Sequence, residues 1–375
     1  MLVLSIIIAM IYCSYIIWLT NSDNPADTTQ INNDSPSIKT VSIIISARNE
    51  EKNLPNLINS LTSQTYPKDQ FEIIIANDRS NDGTGKLLNN YQKNISNLTV
   101  IHIENTALGW APKKWALHNA IEISKGEIIL QTDADCILPE KWIYSMSHPF
   151  NNPEIGFVSG PAPMTNNESL IDNIFEIDSL AQDAFSAGGF NKNMIFSCTG
   201  RNMGFLKNAY DDVNGYEEIS HFISGDDDLL LQLITSKSQY SANFVQSNDA
   251  IVISPPPENI NEFINQRMRF ASKGLEYYKI NTSTSLKITL PLLYSTNLFV
   301  LLTIFKFIQN SSPIFLVPLV IKSFADWWIT YNFYHNIKLK WKIIPFLFLS
   351  ILHPIYIVIF GAIGPFYKFS WKKND

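Results

Sequence analysis

The segment Glu127–Cys136 constrains the fold most strongly, because its apolar run, Ile128–Leu130, is closely followed by two carboxylates, Asp133 and Asp135. A short apolar run of this kind is typical of a buried strand. In open α/β sheets, ligands bind beyond the carboxyl ends of the strands. Two carboxylates at that position predict a half-site for Mg²⁺ or Mn²⁺, whose other ligands would be water and a substrate phosphate. The alternative is an acidic turn, since Asp is common in turns.

Strand-like and helix-like patterns alternate in the residues before this segment. The strand-like segments are Val41–Ser46, Phe71–Ala76 and Leu98–Ile103, and the helix-like segments are Leu54–Leu61 and Lys113–Ser124. Strands that alternate with helices predict an α/β domain with a mostly parallel sheet and helices on both faces. Farther along, the pattern predicts a helix at Glu168–Phe185 and a strand at Phe196–Phe205.

Polar side chains follow the first two strands, as they follow the strand before Asp133. Arg48 lies in the loop after the first strand, and Asp78 closely follows the second. Because ligands bind beyond the carboxyl ends of parallel strands, we expect Arg48, Asp78 and the two carboxylates to line one edge of the sheet. The sequence thus predicts a single polar site.

Length and composition bear on the number of domains, on nucleic-acid binding and on disulfide bonds. A chain of 375 residues is long enough for about two domains. Its formal net charge of -6 argues against non-specific binding of nucleic acid. The cysteines, Cys13, Cys136 and Cys198, lie far apart without metal-ligand spacing, which indicates reduced thiols and not a disulfide framework.

Apolar residues are concentrated at the two ends of the chain. Leu2–Leu19 carries no charge and is just long enough to cross a bilayer. It lacks the positive flank and the cleavage site of a signal peptide, so we interpret residues 1–20 as a transmembrane anchor. Residues 21–39 are polar and predict a flexible linker. Residues 40–285 would form the α/β domain, and residues 286–375 a C-terminal transmembrane region.

The C-terminal region contains three apolar segments, near Ile288–Ile308, Pro313–Tyr334 and Ile343–Phe366. Asp326 in the second segment would either face the interior of the bundle or mark the interfacial end of its span. Prolines interrupt the third segment, which would either cross the membrane or re-enter it.

Charged residues recur beyond Asp135. The run Asp226–Asp228 precedes an apolar run that begins at Leu229, which predicts the start of a helix. Acids are favourable at a helix N-terminus, and this explains one or two of the three. Because capping does not explain all three Asp residues, the run also favours a role for at least one of them in a functional site. Gln266 and Arg269 lie in a mixed basic and polar segment that would suit either a binding site or a helix at a cytoplasmic membrane edge.

Over about Val41–Gly274, the chain resembles membrane-bound family 2 glycosyltransferases of the GT-A fold. The motifs that carry the resemblance are Val41-Ser-Ile-Ile-Ile-Ser-Ala-Arg-Asn-Glu-Glu51, Asn77-Asp-Arg-Ser-Asn-Asp-Gly-Thr84, Asp133-Ala-Asp135, Ser224-Gly-Asp-Asp-Asp-Leu229 and Gln266-x-x-Arg269. The last motif is similar to the Q-x-x-R-W motif of the membrane-associated subgroup. The resemblance implies an inverting transfer of a sugar from a nucleotide-sugar donor.

The resemblance also implies roles for the matching residues. Asp133 and Asp135 would bind a divalent metal, Mg²⁺ or Mn²⁺, with Asp135 the more direct ligand. Asp226, or its neighbour Asp227, would be the catalytic base. We expect contacts with the donor or the acceptor from Arg48, Glu50, Asp78, Lys113, Asp133, Gln266 and Arg269. A metal together with Arg269 would stabilise the charge on the leaving diphosphate.

Two residues depart from the family pattern. Phe270 stands in place of the Trp of the last motif, which argues against processive polymer synthesis. Gly225 stands where many members have Glu, which leaves the choice between Asp226 and Asp227 open.

We therefore expect a metal-dependent inverting glycosyltransferase that acts on a lipid or membrane-held glycan acceptor. It would be integral to the cell (inner) membrane, in contact with membrane lipids, with its catalytic domain in the cytoplasm. The alternatives are a processive polysaccharide synthase and a catalytically inactive membrane module that binds sugar nucleotides. A Mg²⁺-dependent nucleotidyltransferase would explain Asp133 and Asp135, but not the pair Gln266 and Arg269.

Overall fold

The computed structural model describes residues 1–21, 38–166, 169–278 and 282–366. Apart from residues 21, 38 and 39, the predicted linker lies outside these ranges. The strands are β1 (Val41–Ala47), β2 (Phe71–Asp78), β3 (Leu98–Ile103), β4 (Ile128–Gln131), β5 (Ile155–Ser159), β6 (Met203–Leu206) and β7 (Ser241–Phe244). The described helices are α1 (Leu2–Thr20), α2 (Leu54–Thr62), α3 (Thr84–Asn94), α4 (Pro112–Glu122), α5 (Trp142–Ser147), α6 (Leu170–Asn191), α7 (Lys207–Asp211), α8 (Asp228–Lys237), α9 (Ile260–Ser272), α10 (Thr284–Asn310), α11 (Val317–Asn336) and α12 (Ile343–Ile363).

A seven-stranded sheet with the order β3–β2–β1–β4–β6–β5–β7 lies in one compact unit, Ala26–Met164 and Ser197–Pro255. β1 pairs in parallel with β2 and β4, and β2 pairs in parallel with β3. β6 is antiparallel to both of its neighbours, β4 and β5. The predicted mostly parallel sheet is confirmed. The predicted strand Phe196–Phe205 is shorter than expected, because only its last residues join the sheet as β6.

Both faces of the sheet are covered. Successive residues of a strand point to opposite faces. Ile43 and Ile45 of β1 belong to an apolar core together with Leu57 of α2 and Trp142 of α5. Ile44, which lies between them, is fully buried as well, and α4 contacts β1 and β2. Burial on both faces explains why β1 and β2 are nearly continuous apolar runs.

A second compact unit comprises Met1–Pro25, Thr165–Phe196 and Pro256–Asp375. It contains α1, α6 and α9 to α12. This division differs from the predicted single domain at residues 40–285, because α6 contacts α11 and α12, and α9 contacts α12. These two helices therefore belong with the apolar helices.

Four helices are long and apolar enough to cross a membrane. They cover Leu2–Thr20, Thr284–Asn310, Pro313–Asn336 and Ile343–Phe366. This agrees with the predicted anchor and the three predicted C-terminal segments. α12 continues as a helix through Pro354. At 1.5 Å per residue it is about 31 Å long, enough for a hydrocarbon core of about 30 Å.

Asp326 faces the interior of the helix bundle, the first of the two predicted possibilities. The hydroxyl of Tyr12 on α1 donates a hydrogen bond to its Oδ1 at 2.6 Å. The ammonium of Lys322, one turn earlier on α11 and fully buried, donates to its Oδ2. An acid in an apolar bundle is stabilised by such partners.

Candidate active site

The carboxyl ends of β1, β2 and β4 lie at one edge of the sheet. The register pairs Ala47 with Asn77, so Arg48 and Asp78 occupy equivalent positions at the ends of neighbouring strands. β4 ends at Gln131, two positions before Asp133. Gln131 is paired with the first residue of the antiparallel strand β6. The segment that leads into β6 therefore reaches the same edge from the opposite direction.

Lys113 joins two of the predicted acids at this edge. Its Nζ donates to Asp133 Oδ1 at 2.9 Å and lies 2.9 Å from Asp226 Oδ2. Burial lowers the pKa of Lys113, but the charges of Asp133 and Asp226 raise it more, so that the pKa lies above the usual range for lysine. The structure thus brings together a predicted metal ligand, the predicted base and a cation.

Two buried polar residues, Gln131 and Tyr216, contact Asp226. The Nε2 of Gln131 lies 3.4 Å from Asp226 Oδ2. The hydroxyl of Tyr216 donates to Gln131 Oε1 at 3.2 Å and to the backbone carbonyl of Asp226 at 3.1 Å. Because buried polar groups are costly when unpaired, this network favours a single orientation of the Asp226 carboxylate.

The loop before Asp226 is fixed by Lys114. Its buried ammonium donates to the carbonyls of Phe222 at 2.5 Å and Ser224 at 2.8 Å. Lys114 therefore fixes the backbone of this loop. Gly225 follows with a φ of +85°, and a Cβ there would lie 2.5 Å from Leu229 Cγ. A Glu at this position would be strained in the conformation that this loop adopts.

Asp227 caps helix α8. Its carboxylate accepts hydrogen bonds from the backbone N–H of Asp228 at 2.8 Å and of Gly200 at 3.0 Å. The helix begins at Asp228, the last residue of the acidic run. Asp228 is fully buried. The capping explanation therefore applies to Asp227, whereas Asp226 precedes the cap and contacts Lys113.

Carboxylates are crowded around Asp135. Its pKa is raised to about 6, first by burial and then by the charges of Asp133 and Glu50, while the Arg201 guanidinium opposes the rise. A divalent cation would relieve this repulsion, and carboxylate oxygens are preferred ligands of Mg²⁺ and Mn²⁺. Among the described residues, no group of three or more His, Cys, Asp or Glu side chains is arranged to hold a metal. The residues fit a metal held by Asp133 and Asp135 that takes its other ligands from water and substrate.

The loops after β1 and β2 are tied to each other. Asp78 is buried and accepts a hydrogen bond from Arg79 Nε at 2.8 Å. The backbone N–H of Glu50 donates to the hydroxyl of Thr84, the first residue of α3, at 2.8 Å. Asn49 and Arg79 both have a left-handed backbone, with φ of 57° and 51°. Asn tolerates this conformation better than most residues, so Asn49 suits its turn, whereas Arg79 is a less usual residue at such a position.

Gln266 and Arg269 lie on α9, in the compact unit that contains the apolar helices. Their expected contacts with the donor and the acceptor stay predictions. The structure adds three residues that the sequence did not single out: Gln131, Tyr216 and Arg201. Gln131 is a polar residue at the end of an apolar run, a signal that could have been used. Tyr216 and Arg201 lie in irregular segments that carry no such signal.

Comparison with known proteins agrees with this arrangement. Residues 42–213 match the family described as glycosyl transferase family 2. Glycosyltransferase AglE of Haloferax volcanii is 28% identical over 194 residues, which cover 50% of this chain and 58% of that protein. A beta-monoglucosyldiacylglycerol synthase of Trichormus variabilis is 31% identical over 122 residues, which cover 32% of this chain and 26% of that protein. The chain thus spans just over half the length of the first relative and about a quarter of the second.

A solved structure of similar fold is the mannosyltransferase PcManGT from Pyrobaculum calidifontis in complex with GDP-Man and Mn²⁺. It is 17% identical, with a TM-score of 0.62, and the match covers 98% of this chain and 99% of that chain. At this identity, the likeness shows the fold alone. Together with the sheet order and the family match, it confirms the resemblance noted in the sequence: the chain carries a glycosyltransferase family 2 domain of the GT-A fold.

Proposed function

We propose that the protein is a metal-dependent, inverting glycosyltransferase that moves a sugar from a nucleotide-sugar donor to a lipid or membrane-held glycan acceptor. The observation that carries this proposal is the position of Lys113, 2.9 Å from both Asp133 and Asp226. It joins one predicted metal ligand, Asp133, to the predicted base at the sheet edge where ligands bind in such folds. The lipid-glycosylating activity named for the Trichormus relative supports a lipid acceptor.

Asp226 would act as the general base. Its Oδ2 faces Lys113 and Gln131, and the described residues offer no hydrogen-bond donor to its Oδ1. That oxygen would take the proton of the acceptor hydroxyl. The acceptor oxygen then bonds to the anomeric carbon as the bond from that carbon to the donor phosphate oxygen breaks. The bonding electrons leave with the nucleotide diphosphate, and the configuration at the anomeric carbon is inverted.

Asp227 is a weaker candidate for the base, because both of its carboxylate oxygens accept backbone hydrogen bonds. Taking a proton there would break the cap of α8. A metal held by Asp133 and Asp135 would supply electrostatic stabilisation of the leaving diphosphate. The charged ammonium of Lys113 would keep Asp133 and Asp226 from repelling each other while the substrates bind.

We place the protein in the cell membrane with its catalytic domain in the cytoplasm, where nucleotide sugars are made. The four apolar helices support the membrane location. A reporter enzyme fused after Asp375 and another inserted at Lys68, an exposed residue of the sheet-containing unit, would locate the C-terminus and that unit. A signal from outside the cytoplasm at Lys68 would contradict the proposed orientation.

The test of the activity is transfer of label from a panel of radiolabelled nucleotide sugars by membranes that contain the protein. We expect label in the lipid extract with one donor, loss of transfer in EDTA and its return with Mn²⁺ or Mg²⁺. Membranes that contain the Asp226→Asn variant are the control, because any transfer that they show comes from other enzymes in the membrane. Label in a polymer would favour the processive synthase, and no transfer with any donor would favour the inactive binding module.

A further inference from the structure

Arg201 lies beside the predicted metal site and outside the sequence motifs that carry the family resemblance. It precedes β6, and its backbone carbonyl accepts a hydrogen bond from Thr132 Oγ1 at 2.8 Å. Thr132 is adjacent to Asp133, so the backbone of Arg201 is fixed to the loop that carries the metal-binding carboxylates. Its guanidinium also lies close enough to Asp135 for the two opposite charges to attract each other.

Two neutral hydroxyls hold the Arg201 side chain. Its Nε donates to Thr199 Oγ1 at 3.2 Å, and its Nη1 donates to Ser254 Oγ at 2.5 Å. Within the part of the chain that the structure describes, Arg201 forms no ion pair with a carboxylate. A guanidinium has five N–H donors, and hydroxyls orient it without neutralising its charge. The remaining N–H groups are therefore suited to an anion.

We propose that Arg201 binds a phosphate group of a substrate at the D-x-D edge of the sheet, an inference that deepens the proposed function and rests on it. The planar guanidinium matches a phosphate with two parallel hydrogen bonds. This phosphate group can belong either to the diphosphate of the donor or to a phosphorylated lipid acceptor. Thr199 and Ser254 are positioning residues in either case, because they contact and orient the guanidinium.

The test measures binding by calorimetry with the full-length protein in detergent. The donor arm uses UDP and GDP, each with Mn²⁺. The acceptor arm uses farnesyl phosphate, with farnesol as the matched ligand that lacks the phosphate. The variants are Arg201→Gln, which removes the charge, and Arg201→Lys, which keeps it but removes the planar fork. Lys68→Gln, at an exposed position, is the control for loss of one positive charge.

Charge-assisted hydrogen bonds of this kind correspond to a change in affinity of about tenfold or more. We expect Arg201→Gln to weaken one class of probe by at least that factor, Arg201→Lys to weaken it less, and Lys68→Gln to leave it unchanged. Weaker binding of UDP or GDP assigns Arg201 to the donor. Weaker binding of farnesyl phosphate, with farnesol unaffected, assigns it to the acceptor.

Equal affinities of wild type and Arg201→Gln for all four probes would overturn the assignment. Unchanged melting temperatures of the variants would show that lost binding is not lost folding. If the wild type binds neither nucleotide, the proposed function fails, and the farnesyl phosphate arm still decides the role of Arg201. Absence of binding by the wild type to any probe overturns both.

Discussion

The ammonium of Lys113 lies 2.9 Å from the carboxylate of Asp226, although the two residues come from distant parts of the sequence. Lys113 is in the first turn of α4, and Asp226 precedes the cap of α8. The same ammonium donates to Asp133. One cation is thus shared by a proposed metal ligand and the proposed base, so a change at Lys113 affects both.

Lys113→Gln should destabilise the protein and abolish transfer. Removing the cation leaves the mostly buried Asp226 and its neighbour Asp133 without their counter-charge. Breaking a buried pair in this way costs about 3–5 kcal/mol. Thermal unfolding of the purified protein measures the loss. Lys141→Gln removes the same charge from an exposed position and should change the melting temperature little. Equal melting temperatures for the two variants would contradict the proposed role of Lys113 as counter-charge.

Asp226→Asn and Asp227→Asn should have opposite effects. Loss of a general base lowers the rate by about 10² to 10⁴, so Asp226→Asn should lose turnover and keep its donor affinity. Asp227→Asn should keep measurable turnover and lose on the order of 1 kcal/mol of stability, because its amide has one acceptor oxygen for the two backbone N–H groups that the carboxylate binds. Initial rates and melting temperatures of the two variants distinguish the roles. A dead but stable Asp227→Asn beside an active Asp226→Asn would reverse the assignment.

Asp135→Asn should stabilise the metal-free protein at pH 7.5 and not at pH 4. The pKa of Asp135 is raised to about 6 in the folded state, against about 3.9 in an unfolded chain. The folded protein therefore binds the proton of this carboxyl group more tightly than the unfolded chain does. The contribution of this proton to the free energy of unfolding is lost as the pH rises through 6. The expected gain at pH 7.5 is about 1–3 kcal/mol.

Thermal unfolding in EDTA at both pH values measures this effect, with the exposed Asp69→Asn as control. Mn²⁺ should raise the melting temperature of the wild type at pH 7.5 and leave that of Asp135→Asn unchanged. A variant that Mn²⁺ stabilises as much as the wild type would show that Asp135 is not a metal ligand.

Asp178→Ala should destabilise the unit of apolar helices. Asp178 on α6 and Arg267 on α9 are both almost fully buried and form an ion pair. Without the carboxylate, the guanidinium loses its counter-charge, at a cost of about 3–5 kcal/mol. Asp172→Ala, which removes an acid from the capping box of the same helix, should cost only about 1 kcal/mol.

The double variant Asp178→Leu with Arg267→Met provides the complementary measurement. Replacing both partners of a buried pair by apolar residues is often neutral. The double variant should therefore melt well above Asp178→Ala. If it melts at the same temperature as Asp178→Ala, the loss comes from packing and not from an unpaired charge.

The sequence predicts the parallel half of the sheet well, because strands buried on both faces are continuous apolar runs. β1, β2 and β4 are of this kind, and the polar residues after them could be placed at one edge. β5 and β7 are short strands without a clear signal. β6 is antiparallel, and its pairing with β4 depends on contacts between distant parts of the chain. The approach of Arg201 to the site follows from that pairing and could not be predicted.

The prediction from sequence that α6 belongs to the α/β domain also has a physical explanation. Its acids, among them Glu176 and Asp178, resemble the polar face of a helix in a soluble domain. In the structure they pair with cations elsewhere in the compact unit that contains the apolar helices. Glu176 accepts a hydrogen bond from Lys342 at 2.7 Å, and Asp178 pairs with Arg267. Composition shows that a residue is charged, but it does not show where its counter-charge lies.

The hydrogen bond between Tyr12 and Asp326 has a consequence for biosynthesis. The two residues are 314 positions apart. At about 5–20 residues per second, α1 leaves the ribosome roughly 15–60 s before α11. An unsatisfied polar group in the hydrocarbon core costs several kcal/mol, so the Tyr12 hydroxyl needs another partner during this interval. The bond of α1 to Asp326 can therefore form only after most of the chain has been translated, long after α1 itself has been made.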